Sequence, residues 1–290
     1  MMSTAVMTDE NSGISHEKAK ELGIFMMKMP FFINGEVKYQ ETDMTVKEFY
    51  DALDAGAEVS TSQPSPGDVM DMWEGILGQG YDDIIYIPMS SGLSESCNSA
   101  KVFAEDYDGR VEIADNHRIS VTMEQSVYDA LKYAKQGMNA FEIKNRLEKE
   151  AYDASIYIAV DTLAYLKKGG RVTAAAAAIG TVLNLKPVLT IQGEKLDAYA
   201  KERGMKKARH VMIKAMQKDF EERFAGLDKE GRMKLCISYS HVDDETLQSW
   251  IDEVNEAFPG RDLLINPLSL SIGCHIGPGA LAIAACRMEP

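Results

Sequence analysis

The sequence predicts a two-domain α/β protein, and three observations carry that prediction. Short apolar runs alternate with amphipathic helical stretches through the first half of the chain. After about residue 154 the texture changes to hairpin-joined strands. The 290 residues are 45% hydrophobic and 26% charged, enough for two modest domains with a real core. The expected N-terminal domain, residues 1–154, has a mainly parallel sheet flanked by helices. The expected C-terminal α/β domain, residues 155–290, has a mixed or antiparallel sheet. No Pro- or Ser-rich linker separates them, so close packing is expected.

In order, the expected strands are residues 4–7, 24–29, 84–87 and 111–114, each a short apolar run. Between and after them the 3.6-residue period predicts helices over 46–53, 66–77, 96–105, 119–135 and 140–148. This spacing is that of βαβ units. Residues 156–160 read as a strand, followed by the basic turn "KKGGR" and an alanine-rich helix. "LKPVLTIQGEKLDAYAKE" reads as two strands around a turn at Gln192, Gly193 and Glu194. A charged amphipathic helix over 205–224, a strand over 234–239 and a helix over 244–258 follow. The end reads as strand-like again, over 262–265 and 281–286.

The formal net charge of −14 repels nucleic acid and anionic lipid headgroups, so neither is an expected partner. Any anion site must then work through local dipoles and hydrogen bonds. Cys97, Cys236, Cys274 and Cys286 form no C-x-x-C pair; reduced, buried thiols in a cytoplasmic chain are expected, without a metal. The N-terminus shows no signal peptide, and the longest apolar run, 174–183, is far short of a membrane span.

"YIPMSSGLSESCNSA", residues 86–100, places a serine-rich turn between a strand and a helix. Ligands bind at that edge of open α/β sheets, and helix N-termini present free N–H groups. Three readings stay open: Ser94 caps the helix, the hydroxyls cradle an anion, or Ser94 is a nucleophile. "GLSES" matches G-x-S-x-G only in its first three residues. A hydrolase would draw its acid and base from residues such as Asp243 and His275.

A second hydroxyl cluster, Ser60, Thr61, Ser62 and Gln63, precedes a helix start at Ser65–Pro66 with Asp68 in the first turn. Two such loops entering helices in one parallel-sheet domain can converge on one anion. Neither loop carries a lysine or arginine, which fits a carboxylate better than a polyphosphate. Asp9 and Asp115 end strands and either cap turns or shape the ligand rim. His275, between two glycine-bearing turns at Gly273 and Gly277, is either structural or a positive or hydrogen-bonding group for the anion. His241 beside two acids is better read as part of a helix start than as a metal ligand. Lys167, Lys168 and Arg171 form a basic island that either ends a helix or docks an acidic or phosphate group, with Arg203 as a companion. The seventeen methionines read as core filler or as the lining of a pocket for a flexible chain, filler being the preferred reading.

Taken in order, "TDENSGIS", "TSQPSPGD", "SSGLSESCNSA", "ADNHRIS", "LKKGGRV", "LNLKPVL", "ERGMKKA" and "HIGPGALAI" resemble the DegV family of bacterial fatty-acid-binding proteins. The resemblance implies two α/β domains and a long-chain fatty acid held between or within them, with no other cofactor. It implies that Thr61, with Ser62 beside it, and Ser94 hold the carboxylate, with His275 nearby. It also implies that Arg171 and Arg203 serve a partner, a fatty acid kinase that converts the acid to an acyl phosphate for phospholipid synthesis. The protein itself is then no enzyme. Glu95, Ser96 and Cys97 stand where the family more often has Gly-Thr-Tyr, so Glu95 adds a negative charge beside the site. Apolar lining is expected from residues 174–178 and Ile179.

Overall fold

The computed structural model describes residues 3–179 and 185–290. Leu183 and Asn184 of the "LNLKPVL" segment, and the end of the apolar run, lie outside the described residues. Three sheets are present among the described residues. The strands are β1 (Thr4–Asp9), β2 (Phe25–Met27), β3 (Phe31–Ile33), β4 (Glu36–Lys38), β5 (Val59–Thr61), β6 (Asp83–Ile87) and β7 (Val111–Ile113). They continue with β8 (Ala154–Ala159), β9 (Leu185–Ile191), β10 (Asp197–Arg203), β11 (Met233–Tyr239), β12 (Leu263–Pro267) and β13 (Leu281–Arg287).

A parallel sheet of order β2-β1-β6-β7 forms the first half, as expected from the βαβ spacing. It is covered on both faces. Val6, Ile85 and Ile87 pack with Met123 and Val127 on one side; Ala5, Met7, Ile84 and Tyr86 pack with Trp73 on the other. Burial of both faces explains why these strands read as continuous apolar runs. The second half is a mixed sheet of order β10-β9-β8-β13-β11-β12, in which β9 and β10 form the expected hairpin and β11–β12 is a parallel pair.

Helices at His16–Leu22 and Ala225–Lys229 were not expected, and two further differences bear on the site. A small antiparallel sheet, β4-β3-β5, branches from the first half. Its hairpin turns at Asn34 (φ 50°) and Gly35 (φ 86°), the left-handed pair that Asn-Gly favours between short strands. The second is Leu270–Ile276, a helix rather than two glycine turns, with Ser269 Oγ accepting from Ile272 N as its N-cap. Two expected helix starts hold to the residue: Ser65 caps Pro66–Leu77 and Asp243 caps Asp244–Ala257. The helix expected from residue 119 begins at Val121. All four cysteines are free and buried. Among the described residues no helix is long and apolar enough to cross a membrane.

The mixed sheet makes the room for a site. Along β13, Leu281, Ile283 and Ala285 pack against the outer helices, while Ala282 and Ala284, with Ala280 just before the strand, face the first half of the chain. On the same face the neighbouring strand β8 carries Ile158 and Ile156, paired with Ala282 and Ala284, and the first half supplies Leu93, Ile119 and Val121 to the same cluster. Alanines on the inward face of a central strand leave space that larger side chains would fill.

Candidate functional site

That space is a cavity of about 330 Å³ between the parallel and mixed sheets, within the size range of small-molecule sites. Its body is apolar: Leu93, Ile119, Ile156, Ile158, Leu268 and Ala282 are among its walls. Its polar end gathers Thr61, Ser62, Ser94, Arg171 and His275, which the sequence spreads over more than two hundred positions. The expected alanine-rich lining is not there. Ala176 and Ile179 pack into the surrounding cluster with Leu166 and Leu196, and of these it is Leu166 and Leu196 that form cavity wall, while residues 174–179 do not. Met29 and Met89 line the cavity, while Met7, Met27, Met212 and Met216 are core filler.

Each polar group has a local cause. Thr61 ends β5, which pairs with β3 through Phe31. The helix Leu270–Ile276 packs beneath this small sheet. Gly273 lets the helix pack closely against the helix Val46–Asp54 as well: a Cβ there would lie 3.0 Å from Tyr50 Oη and 3.2 Å from Phe49 Cε1. His275 Nε2 thereby reaches Thr61 Oγ1 at 2.8 Å. Gly169 packs flat on the imidazole, where a Cβ would run into His275 Nδ1. Arg171 leaves the helix Ala164–Gly169 through Gly170 (φ 70°), and its guanidinium donates to Leu93 O at 3.3 Å and Gly169 O at 2.5 Å.

The serine turn is braced on several sides. Asp9 Oδ2 accepts from Met89 N at 2.9 Å and Oδ1 from Asn11 N at 2.8 Å, so this aspartate orders the loops rather than meeting a ligand. Burial pushes its carboxyl up to about 6. Asp115 accepts from Ser91 N and from Lys101 Nζ, the latter at 2.8 Å. Ser90 Oγ donates to Gly193 O of the β9–β10 turn. Ser94 Oγ accepts from Ser96 N at 3.2 Å and lies 3.0 Å from Ser96 Oγ. Ser94 is thus not a helix N-cap; Glu95 holds that position, with no side-chain cap, and its exposed carboxylate accepts from Asn98 at 3.0 Å.

The cation at this site is Arg171, which corrects the expectation of a site without its own arginine. His275 is not that cation. Burial, and then the charge of Arg171, lower its imidazole to about 4, so it is neutral near pH 7. With the proton on Nε2, the ring donates to Thr61 Oγ1 and leaves the threonine hydrogen for an anion. The Ser94–Ser96 pair can be turned so that Ser96 donates and the Ser94 hydrogen faces outward.

Arg203 is not brought here. Arg171 lies at the start of β10, where Leu196 N donates to Arg171 O at 2.9 Å. Arg203 closes the same strand, roughly 20 Å further along, and is exposed. The hydrolase reading also loses its parts. His275 Nδ1 has no hydrogen-bond partner among the described residues, so no acid orients the ring, and Asp243 is an exposed helix cap. His241 stacks on Tyr50 with ring centroids 4.8 Å apart.

Sequence reasoning missed Asn11, Ser120, Ser238 and Ser271, all of which line the cavity. Ser271 was legible in principle: Ser269 as N-cap and Gly277 as stop would have placed it one turn before His275.

The family model described as "Uncharacterised protein, DegV family" matches residues 3–288. A DegV domain-containing protein of Clostridium perfringens is 28% identical, covering 98% of this chain and 97% of its own. Among solved structures, one described as fatty acid binding of a DegV family protein from Thermus thermophilus is 29% identical at a TM-score of 0.87. The match covers 99% of this chain and 100% of that one. DegV of Bacillus subtilis, described as a fatty acid binding protein, is 27% identical at a TM-score of 0.82, covering 99% and 100%.

Proposed function

The chain belongs to the DegV family, and from that premise we propose that it binds a long-chain fatty acid and presents it to a separate kinase. The observation that carries the first part is the polarity of one cavity: hydroxyls and a guanidinium at one end, apolar walls along the rest. A carboxylate at the polar end accepts from Thr61, Ser94 and Arg171, which offsets its lost hydration. The tail lies over Ile158 and Ala282, where each buried methylene contributes about 0.8 kcal/mol. Ser62 and Glu95 at the head end are exposed, so the carboxylate is the solvent-side group of the ligand. That orientation suits a protein that offers the acid to a phosphorylating partner and does no chemistry itself. Arg203, exposed and distant, belongs with partner docking; Arg171 belongs with the head. The division that we propose at residues 154/155 falls one residue inside β8, the first strand of the mixed sheet.

Titration with palmitate tests this reading. Wild type is expected to bind, and Arg171→Met to bind about 30-fold more weakly, the scale of a lost charge-assisted hydrogen bond. Because the cation is a guanidinium and His275 is already neutral, affinity is expected to stay within about 3-fold between pH 6 and 8. A site dependent on imidazolium would lose about 10-fold per pH unit above its pKa. No binding by wild type would sink the reading; a steep loss above pH 6 would move the cation from Arg171 to His275.

A further inference from the structure

We infer that the cavity holds a second polar subsite, formed by Asn11 and Ser120 with Ser238 and Ser271, that receives a hydroxyl group on the acyl chain. The ligand class is then a hydroxylated long-chain fatty acid. This rests on the fatty-acid reading above.

All four side chains are more than nine-tenths buried: Asn11 0%, Ser120 4%, Ser238 3% and Ser271 7% exposed. All four line the cavity. Among the described residues, Asn11 Nδ2 and Ser120 Oγ have no hydrogen-bond partner. Buried polar groups in folded proteins are nearly always paired, so two orphans on neighbouring residues of one cavity's lining ask for a ligand group. Asn11 Oδ1 accepts from Ser269 Oγ at 2.8 Å. Whichever way the amide is turned, one of its two polar atoms is left over. Ser120 precedes the helix Val121–Lys135 at the position where serine ordinarily caps, yet it makes no cap bond. Its backbone (φ 54°, ψ −140°) sets the side chain apart from the helix N–H groups. The two residues are neighbours, since Ser120 N donates to Asn11 O at 2.8 Å.

The cluster is separate from the head group's partners. Ser271 stands one helical turn before His275, about 6 Å away on the same face. Ser238 lies opposite Ala282 in the β11–β13 register, beneath the apolar part of the cavity. A plain alkyl chain crossing this patch leaves its donors and acceptors unmatched. A hydroxyl serves both kinds: its oxygen accepts from Asn11 Nδ2 and its hydrogen is donated to Ser120 Oγ. Sites built to hydrogen-bond a substrate hydroxyl discriminate against the analogue without it.

The test compares stearate with 3-, 10- and 12-hydroxystearate by displacement of a fluorescent fatty acid from the full chain. One positional isomer is expected to bind about 10-fold tighter than stearate, the scale of one well-made hydrogen bond. In Ser120→Ala that ratio is expected to fall to about 2-fold. Ser238→Ala, expected to lower the ratio as well, serves if the first variant does not fold. Tight stearate binding with no isomer favoured overturns the inference and leaves the fatty-acid reading standing; water held by the four groups and not displaced gives that same flat panel. If neither stearate nor any hydroxy acid binds, the fatty-acid reading has failed and the subsite falls with it.

Discussion

Decanoate is expected to bind on the order of 10³-fold more weakly than palmitate. The two acids share a carboxylate and differ by six methylenes, each contributing about 0.8 kcal/mol when buried, or about 5 kcal/mol in all. The full difference is reached only if the chain lies inside the cavity; tail ordering lowers it somewhat. A series from ten to eighteen carbons, followed by calorimetry, measures the slope. The slope should flatten where the methylenes reach the end of the cavity. Ala282→Leu, which puts branched bulk on the inward face of β13, should move that break to shorter chains while decanoate is little affected. A flat series would mean that the carboxylate alone is held and the tail stays in water.

Gly92→Ala carries the largest expected loss of stability. Gly92 sits in the serine turn against the tip of the β9–β10 hairpin. A Cβ there would lie 2.6 Å from Gly193 O and 2.8 Å from Glu194 Cα. Both are backbone atoms of a tight turn, and neither can step aside as a side-chain tip can. Overpacking of this kind costs about 3 kcal/mol, a fall in Tm of roughly 5–10 °C for a chain of this size. Fatty-acid affinity should fall too, because Leu93 and Ser94 on one side and Ile191 and Leu196 on the other are walls of the same cavity. Gly75→Ala is the opposite control. Gly75 lies inside the helix Pro66–Leu77 with nothing within 4 Å of an added Cβ, so alanine should stabilise by about 0.5–1 kcal/mol. Thermal denaturation of both variants checks the pair of signs.

The parallel sheet was legible because each strand is a short apolar run, buried on both faces and followed by a helical period. The helix at Pro66 was legible to the residue, since Ser65, Pro66 and Asp68 each act within one turn. What escaped was small or non-local. Strands β3, β4 and β5 are three residues each, too short for a period, although Asn34-Gly35 marked their hairpin. The helix Leu270–Ile276 was masked by Gly273, which is there for its closeness to Phe49 and Tyr50 rather than for a turn.

The candidate site divides in the same way. Thr61, Ser94 and His275 stood out as hydroxyls at strand–helix junctions and a histidine among glycines. The role of Arg171 did not, because its distance from the serine turn is set by how the β9–β10 hairpin folds back on Gly92. The alanine that matters is not in the run at 174–178 but is Ala282, whose place between Leu281 and Ile283 shows its meaning only when the two faces of β13 are known.

The most direct test is a crystal structure with palmitate bound. The carboxylate oxygens should lie about 3 Å from Thr61 Oγ1, Ser94 Oγ and the Arg171 guanidinium, with the tail running over Ala282. A palmitate with its head elsewhere, or lying outside this cavity, would contradict the account.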